Sequence, residues 1–153
     1  MLKRIFDILF SLVVLLLFSL LLIIISLIIF LYDGGPVFYK APRVGKNGRV
    51  FKMYKFRTMV VDADKKGPSS TTNNDSRITP VGKFLRKTKL DEIPQFINVL
   101  KGEMSVVGPR PDLKCFTDMF TEEEKIILSV KPGITDYASL WNSNEAKLLE
   151  GST

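Results

Sequence analysis

The hydrophobic and polar positions divide the chain into one long apolar stretch and a series of shorter, patterned segments. Residues 8–32 carry no charge and consist mainly of Leu, Ile, Val and Phe. A helix of that length extends roughly 37 Å, which is sufficient to cross a bilayer core of roughly 30 Å. The stretch is too long for a cleaved signal peptide, and no small-residue cleavage site follows it. We therefore predict a membrane-inserted helix.

Basic residues flank the apolar stretch on both sides. Lys3 and Arg4 precede it, and the segment between Asp33 and Asp62 contains no acid. That segment carries seven basic residues, namely Lys40, Arg43, Lys46, Arg49, Lys52, Lys55 and Arg57. Because excess Lys and Arg marks the cytoplasmic side of a membrane, two arrangements are compatible with these charges. The helix either spans with its N-terminus outside, or enters and leaves the membrane on the cytoplasmic side.

The same basic residues predict a partner of negative charge. Both nucleic acid and anionic lipid fit the charge, but the neighbouring apolar stretch favours lipid headgroups. We therefore predict a membrane-lipid partner and no nucleic acid. A basic hairpin that simply faces solvent is the alternative.

The segments that follow predict short strands and helices, and therefore an α+β fold. Residues 37–39 and Val50–Phe56 are strand-like, and Asn47-Gly48 between them is a strong hairpin signal. Alternation divides the second strand into two faces, one with Phe51, Met53 and Lys55 and the other with Lys52, Tyr54 and Phe56.

An amphipathic helix is predicted after Thr79 and Pro80, which form an N-cap and a first-turn proline. Its apolar and basic faces consist of Val81, Phe84 and Leu85 on one side and Lys83, Arg86 and Lys87 on the other. We interpret it as an interfacial helix beside the catalytic site, with its basic groups at the level of the lipid phosphates. An ordinary surface helix is the alternative.

Three further segments have local signals. Residues 62–75 are polar and predict a mobile loop, which we interpret as a lid. Thr121 and Glu124 form a capping box that predicts a helix to about Val130. Apolar positions at helical spacing follow Pro94, and Gly102 is placed to end that helix.

Asp91 and Glu92 directly precede the helix that begins near Pro94. The N–H groups and the dipole at a helix N-terminus favour anions, so a carboxylate there stays ionised and a phosphate can approach. The alternative is purely structural, with Asp91 as an N-cap and Glu92 as a first-turn acid.

The composition limits the chemistry that the chain can perform. It has a net charge of +6 and no histidine, which excludes histidine from every catalytic or metal scheme. Its single cysteine, Cys115, permits no internal disulfide and no cysteine zinc site, and we predict that it is a small packing residue. An acidic pair surrounded by cations fits phosphoryl transfer, in which a carboxylate can act as the nucleophile. Without histidine, the predicted metal is a hard ion bound by oxygen, hence Mg²⁺.

Three ordered motifs carry a resemblance to a known family. They are Tyr54-Lys55-Phe56-Arg57-Thr58-Met59, the whole of residues 90–111, and Lys131-Pro132-Gly133-Ile134-Thr135. Together with the apolar N-terminus, they resemble the monotopic phosphoglycosyl transferases of the bacterial sugar transferase family. Those enzymes transfer a sugar-1-phosphate from a UDP-sugar to polyprenyl phosphate and release UMP.

The resemblance implies a role for particular residues. Asp91 would be the nucleophile that forms a covalent phosphosugar intermediate, and Glu92 would assist as a base and help to bind Mg²⁺. Arg110, in Gly108-Pro109-Arg110-Pro111, would bind substrate phosphate together with its neighbour Pro109. Arg57 and Arg86 match cationic positions of the family's site.

The resemblance also implies an organisation and a location. Residues 1–33 would form a re-entrant membrane helix and residues 34–153 a catalytic domain on the cytoplasmic face of the bacterial inner membrane. Family members usually continue further, so we expect the catalytic domain to be truncated. The family bends its helix at a Ser-Pro pair, whereas this chain has Ser19-Leu20 and no proline in the stretch. Ser19 or Ser26 would then have to bend the helix through a hydrogen bond to a preceding carbonyl, and a straight spanning helix is the alternative.

A non-catalytic function remains as an alternative to the enzyme. In that interpretation the chain is a membrane-anchored module that binds anionic lipid, and the acidic pair only caps a helix. An aspartyl-phosphate hydrolase is less favoured, because the DxD pattern of that class does not surround Asp91.

Overall fold

The computed structural model describes residues 1–65, 67 and 75–136, and the apolar N-terminus forms two helices rather than one. Helix α1 (Leu2–Leu17) and helix α2 (Ser19–Asp33) are bent by 61° at Phe18. Among the described residues, no single helix is long and apolar enough to cross a membrane. The bent pair passes that test only when its two helices are taken together.

The bend is explained by packing rather than by serine hydrogen bonds. The Ser26 hydroxyl donates to the Leu22 carbonyl at 2.6 Å, but this bond lies within α2 and not at the bend. Helix α1 packs on the segments that follow the acidic pair, whereas Ile25 and Ile29 of α2 are buried against Phe56 and other residues of the hairpin side. Because different parts of the domain bind the two helices, they leave Phe18 in different directions.

The predicted hairpin is confirmed, and its first strand is longer than expected. Strand β1 (Phe38–Val44) pairs antiparallel with β2 (Val50–Phe56). Asn47 and Gly48 in the turn have φ angles of 57° and 73°, the left-handed conformations that these residue types tolerate best. Phe51 and Met53 are buried together as alternation predicts, but Phe56 is buried as well, against α2. The two ends of the strand therefore pack against different clusters.

The helix after Thr79 is confirmed as α3 (Pro80–Thr88), and the Thr79 hydroxyl accepts a hydrogen bond from the Gly82 N–H at 2.9 Å. Leu85 is buried, but Phe84 is 60% exposed, so only part of the predicted apolar side packs on the domain, and the interfacial position of the helix stays a prediction. A Cβ at Gly82 would overlap the Thr58 carbonyl. This close approach fixes which side of the helix packs and turns Phe84 outward.

A short helix and a parallel strand pair complete the core. Helix α4 (Gln95–Lys101) ends at Gly102, whose φ of 84° is the left-handed cap that the sequence predicts. Strand β3 (Ser105–Val107) runs parallel to β4 (Gly133–Thr135). The main hydrophobic cluster joins α4, β3 and the hairpin through Ala41, Phe51, Met53, Val99, Met104 and Val106.

The segment between β3 and β4 differs from two expectations. It contains the short helix α5 (Lys114–Thr117), in which Cys115 is exposed, so its prediction as a packing residue is wrong. The capping box forms, with the Glu124 carboxylate accepting the Thr121 N–H at 2.8 Å. The segment that follows it is a 3-10 helix, Glu124–Ser129, rather than an α-helix. Most of the predicted lid, residues 62–75, lies outside the described residues, as do residues 137–153.

Candidate active site

The acidic pair lies in a 3-10 turn, Leu90–Glu92, directly ahead of α4. Lys89 has a φ of 59°, and this left-handed residue redirects the chain from α3 into the turn. The pair therefore lies just before a helix start, as predicted. The N-cap positions of the turn and of α4 are Lys89 and Pro94, and neither shows a side-chain cap within the described part of the chain, so the interpretation of Asp91 as an N-cap is wrong.

Asp91 has a buried carboxylate oxygen that no described residue satisfies. The residue is only 7% exposed, and among the described residues no donor lies within hydrogen-bond distance of its Oδ1 atom. Burial raises the pKa of Asp91 and the charge of Glu92 raises it further, while Lys55, Arg86 and Lys89 act in the opposite direction. An unpartnered buried oxygen is costly to keep, so its presence favours a role in binding or chemistry over one in stability.

Glu92 has the opposite electrostatic environment. Burial acts to raise the pKa of Glu92, but the ion pair with Lys55 and the charges of Lys89 and Arg110 outweigh it, and the net pKa is lowered. The Lys55 ammonium donates to Glu92 Oε1 at 2.7 Å. Two adjacent carboxylates whose pKa values move apart are suited to different roles in one reaction.

Lys55 is a site residue that the sequence interpretation missed. It lies near the end of β2 and reaches the acidic pair across 37 positions of sequence. Two features of the sequence point to Lys55: it belongs to the Tyr54-Lys55-Phe56-Arg57 motif, and alternation places it on the same face as Phe51 and Met53. That its partner is Glu92 follows only from the packing of β2 beside the turn.

A cavity of about 140 Å³ opens next to Glu92. Its cationic side chains are Arg43, Lys55 and Arg110, and its apolar wall includes Met53, Leu113, Phe116 and Ile134. Glu92 lines this cavity, whereas its neighbour Asp91 does not. An anionic group with an attached apolar or aromatic part fits such a lining.

The cationic residues predicted for the site occupy different places. Arg110 lines the cavity, and its charge is among those that lower the pKa of Glu92. Arg86 is half-buried near Asp91, and its Nε donates to the Thr58 hydroxyl at 2.8 Å. Arg86 therefore acts electrostatically on Asp91, and Arg110 acts on Glu92.

Arg57 and Pro109 lie in other surroundings. Both terminal nitrogens of Arg57 donate to the Asp33 carboxylate, one at 2.8 Å, which ties the end of α2 to the end of β2. The Pro109 carbonyl accepts the Gly133 N–H at 2.9 Å, and Pro109 lines a second, smaller cavity. The structure therefore does not bring either residue to the cavity beside Glu92, and their contact with substrate stays a prediction.

The donor atoms near the acidic pair are compatible with Mg²⁺. Within the described ranges, no group of three or more Asp, Glu, His or Cys side chains is arranged to bind a metal. Mg²⁺ commonly uses only one or two carboxylates and completes its shell with water and substrate phosphate. The unpartnered Oδ1 of Asp91 beside Glu92 meets that requirement.

The pKa of Asp91 is raised and that of Glu92 is lowered, and the cavity beside Glu92 is lined by Arg43, Lys55 and Arg110. Such a site suits an enzyme that acts on phosphate-bearing substrates. The chain belongs to the bacterial sugar transferase family, whose model matches residues 1–151.

The relatives of this chain include transferases that are named for different sugars. The chain is 42% identical over 141 residues to the UDP-N-acetylgalactosamine-undecaprenyl-phosphate N-acetylgalactosaminephosphotransferase of Aeromonas hydrophila, covering 90% of this chain and 33% of that protein. It is 44% identical over 143 residues to the UDP-glucose:undecaprenyl-phosphate glucose-1-phosphate transferase of Escherichia coli (strain K12), covering 92% and 31%. It is 41% identical over 156 residues to the exopolysaccharide production protein ExoY of Rhizobium meliloti (strain 1021), covering 92% and 68%. The chain thus spans about a third of the first two proteins and about two thirds of the third.

Proposed function

We propose that the chain transfers a sugar-1-phosphate from a UDP-sugar to undecaprenyl phosphate and releases UMP. The observation that carries this proposal is the buried, unpartnered Asp91 carboxylate beside Glu92, which is held by Lys55. Two of the named relatives are undecaprenyl-phosphate transferases for different sugars, which supports the reaction type and leaves the sugar open. The reaction would be the first membrane step in the assembly of a glycoconjugate or polysaccharide.

The reaction would take place in two steps at one phosphorus atom. An Asp91 oxygen attacks the phosphorus that carries the sugar, the bond from that phosphorus to the bridging oxygen breaks, and UMP leaves with the electron pair. An oxygen of undecaprenyl phosphate then attacks the same phosphorus, the bond to Asp91 breaks, and the carboxylate is restored. The covalent intermediate between these steps is an aspartyl phosphosugar.

The surrounding residues would stabilise charge and accept a proton. Glu92 stays ionised because its pKa is lowered, so it would be available as the base that takes the proton from the attacking phosphate of undecaprenyl phosphate. Arg86 and Lys89 lie in the field of Asp91, and Arg110 lies in that of Glu92, where they would stabilise phosphate oxygens. Asp91 and Glu92 would hold Mg²⁺, which neutralises negative charge on those oxygens.

The apolar helix pair would place this site at the membrane surface. We propose that α1 and α2 enter and leave the bacterial inner membrane from the cytoplasmic face. The bend at Phe18 and the many exposed apolar side chains of both helices support this arrangement, as do the basic flanks. It would let the site take a soluble nucleotide from the cytoplasm and a lipid phosphate from the interface.

The lipid-binding module is less well supported by the acidic pair. Of the seven basic residues of the hairpin segment, Arg43 and Lys55 line the cavity and Arg57 is paired with Asp33. The other four, Lys40, Lys46, Arg49 and Lys52, are exposed, and both the module and a membrane-bound enzyme can use them for lipid headgroups. The enzyme accounts for the buried acidic pair, whereas the module leaves it unexplained.

The test is UMP release by the detergent-solubilised protein from a panel of UDP-sugars with undecaprenyl phosphate and Mg²⁺. We expect UMP release with at least one UDP-sugar, and no release by Asp91→Asn. With the UDP-sugar alone, mass spectrometry of the wild-type protein should show an added phosphosugar on Asp91. Normal UMP release by Asp91→Asn would exclude the covalent role.

A further inference from the structure

We propose that Arg43 binds, together with Arg110, the phosphate of the nucleoside monophosphate that leaves in the first step. The cavity that the two arginines line would then be the subsite for UMP. This inference rests on the proposed function, because it identifies which part of the donor the cavity receives. The sequence interpretation placed Arg43 only among the basic residues of the hairpin.

The position of Arg43 differs from that of an ordinary surface arginine. It lies near the end of β1, is partly buried, and lines the cavity that also contains Arg110 and Glu92. One of its terminal nitrogens donates to the carbonyl of its neighbour Pro42 at 2.9 Å. Within the part of the chain that the structure describes, no carboxylate forms an ion pair with Arg43 within 4 Å. A partly desolvated guanidinium that faces a cavity without such a partner is suited to an anionic ligand.

The surroundings of Arg43 support an anion of more than one charge. Burial lowers the pKa of Arg43, and the like charge of Arg110 lowers it further, while Tyr39, Asp112 and Cys115 act in the opposite direction. Asp112 also lines the cavity and offsets part of the repulsion between the two guanidinium groups. Planar guanidinium groups match phosphate oxygens well, so a phosphate monoester dianion is the ligand that best relieves this repulsion.

Different cations act on the two ends of the site, so the phosphate bound by Arg43 and Arg110 would be distinct from the phosphate that Asp91 attacks. The cations in the field of Asp91 are Lys55, Arg86 and Lys89, and neither Arg43 nor Arg110 is among them. Arg110 acts instead on Glu92 and on Arg43. A diphosphate that bridges the site would therefore place its sugar-bearing phosphorus near Asp91 and its other phosphate between Arg43 and Arg110.

The wall of the cavity fits the remainder of a nucleotide. Phe116 is 52% exposed, and it lines the same cavity as the two arginines, together with Leu113 and Ile134. An aromatic face next to a phosphate site can accept a stacked base. This combination favours a nucleoside monophosphate over the phosphate of a polyprenyl lipid.

The experiment measures UMP and uridine binding by calorimetry to the full chain in detergent. Arg43→Gln should weaken UMP binding roughly tenfold or more, because a charge-assisted hydrogen bond is lost, and should leave uridine binding unchanged. Arg43→Lys should recover part of the affinity, since it keeps the charge but loses the planar fork. Lys125→Gln is the control, because it removes one charge from an exposed residue that lines neither cavity.

Kinetics with both substrates separate the possible outcomes. The KM for the UDP-sugar should rise in Arg43→Gln, while the KM for undecaprenyl phosphate should stay unchanged. A rise in the KM for undecaprenyl phosphate alone would assign Arg43 to the lipid phosphate and overturn the proposal. UMP affinity equal to wild type in a folded Arg43→Gln, or no UMP binding by wild type, would also overturn it. Arg43-dependent UMP binding without any sugar-phosphate transfer would support the subsite and defeat the proposed function.

Discussion

At the residue scale, the acidic pair shows how two neighbours in sequence acquire different properties. Asp91 is buried without a donor for Oδ1, and its pKa is raised chiefly by burial. Glu92 is held by Lys55, and its pKa is lowered. Because Lys55 comes from β2, the difference depends on where the hairpin packs. The two carboxylates therefore have different consequences for stability as well as for catalysis.

Substitution of each acid by its amide should separate these consequences. Asp91→Asn should abolish turnover and leave the free energy of unfolding unchanged or raised by up to about 1 kcal/mol at neutral pH, because it removes an unpartnered buried charge. Glu92→Gln should keep a residual rate or accumulate the phosphosugar intermediate, and should lower the free energy of unfolding by about 1–3 kcal/mol through the loss of the Lys55 ion pair. Denaturant unfolding and UMP release measure both; a large loss of stability in Asp91→Asn would contradict the first expectation.

The pH dependence of turnover should reflect the raised pKa of Asp91. In the proposed mechanism Asp91 must be ionised to attack, so the acidic limb of kcat/KM should lie above the ordinary carboxyl value of 3.8. Lys55 lowers the pKa of Asp91, and its replacement in Lys55→Gln should therefore move the limb to higher pH. Lys55→Arg, which keeps the charge, should leave the limb close to that of wild type. A shift of the acidic limb of Lys55→Gln to lower pH would show that the charge of Lys55 does not lower the pKa of Asp91.

At the scale of elements, α1 is attached to the domain through a buried acid that the sequence interpretation did not use. The Asp7 carboxylate accepts hydrogen bonds from the Ser105 hydroxyl at 2.9 Å and the Val106 N–H at 3.0 Å, both in β3. The chain after β3 leads directly to Arg110. Helix α1 is therefore bound to the segment that leads to a cation of the candidate site.

Asp7→Ala should destabilise the protein by about 2–3 kcal/mol, because two buried donors in β3 lose a charged acceptor. Asp118→Ala is the matched control, since Asp118 pairs with Lys114 on the surface and such a pair contributes little. Thermal unfolding in detergent compares the two variants. Equal unfolding midpoints would show that Asp7 does not hold α1 to the domain.

At the scale of the whole molecule, the two N-terminal helices are packed by separate parts of the domain. Helix α1 packs on α4 and β3, and α2 packs on the hairpin end and α3. The ion pair of Arg57 with Asp33 fixes the end of α2 as well. Both ends of the bent pair are therefore attached to the same domain, which favours entry and exit on one side of a membrane.

A cysteine in place of Leu2 should report this topology in a Cys115→Ser background. We expect no labelling by a membrane-impermeant thiol reagent from the periplasmic side of intact cells, and labelling after permeabilisation. The Cys115→Ser protein without the new cysteine gives the background. Labelling in intact cells would show that the N-terminus lies outside and that the helices span.

Local features of this protein could be determined from the sequence by itself. The Asn47-Gly48 turn, the Thr79 cap, the end of α4 at Gly102 and the position of the acidic pair before that helix all follow from neighbouring residues. Their backbone conformations and hydrogen bonds involve only a few positions, so the sequence contains the necessary information. The order of the motifs was likewise sufficient to indicate the family.

Only the tertiary structure decided which distant residues meet. It brought Lys55 to Glu92, Arg57 to Asp33 and Arg43 to the cavity, and it left Phe84 and Cys115 exposed. It also set the bend at Phe18 without a proline, because the two helices pack against different surfaces. Such contacts depend on which elements pack together, and a hydrophobic pattern defines a face of an element without specifying what covers it.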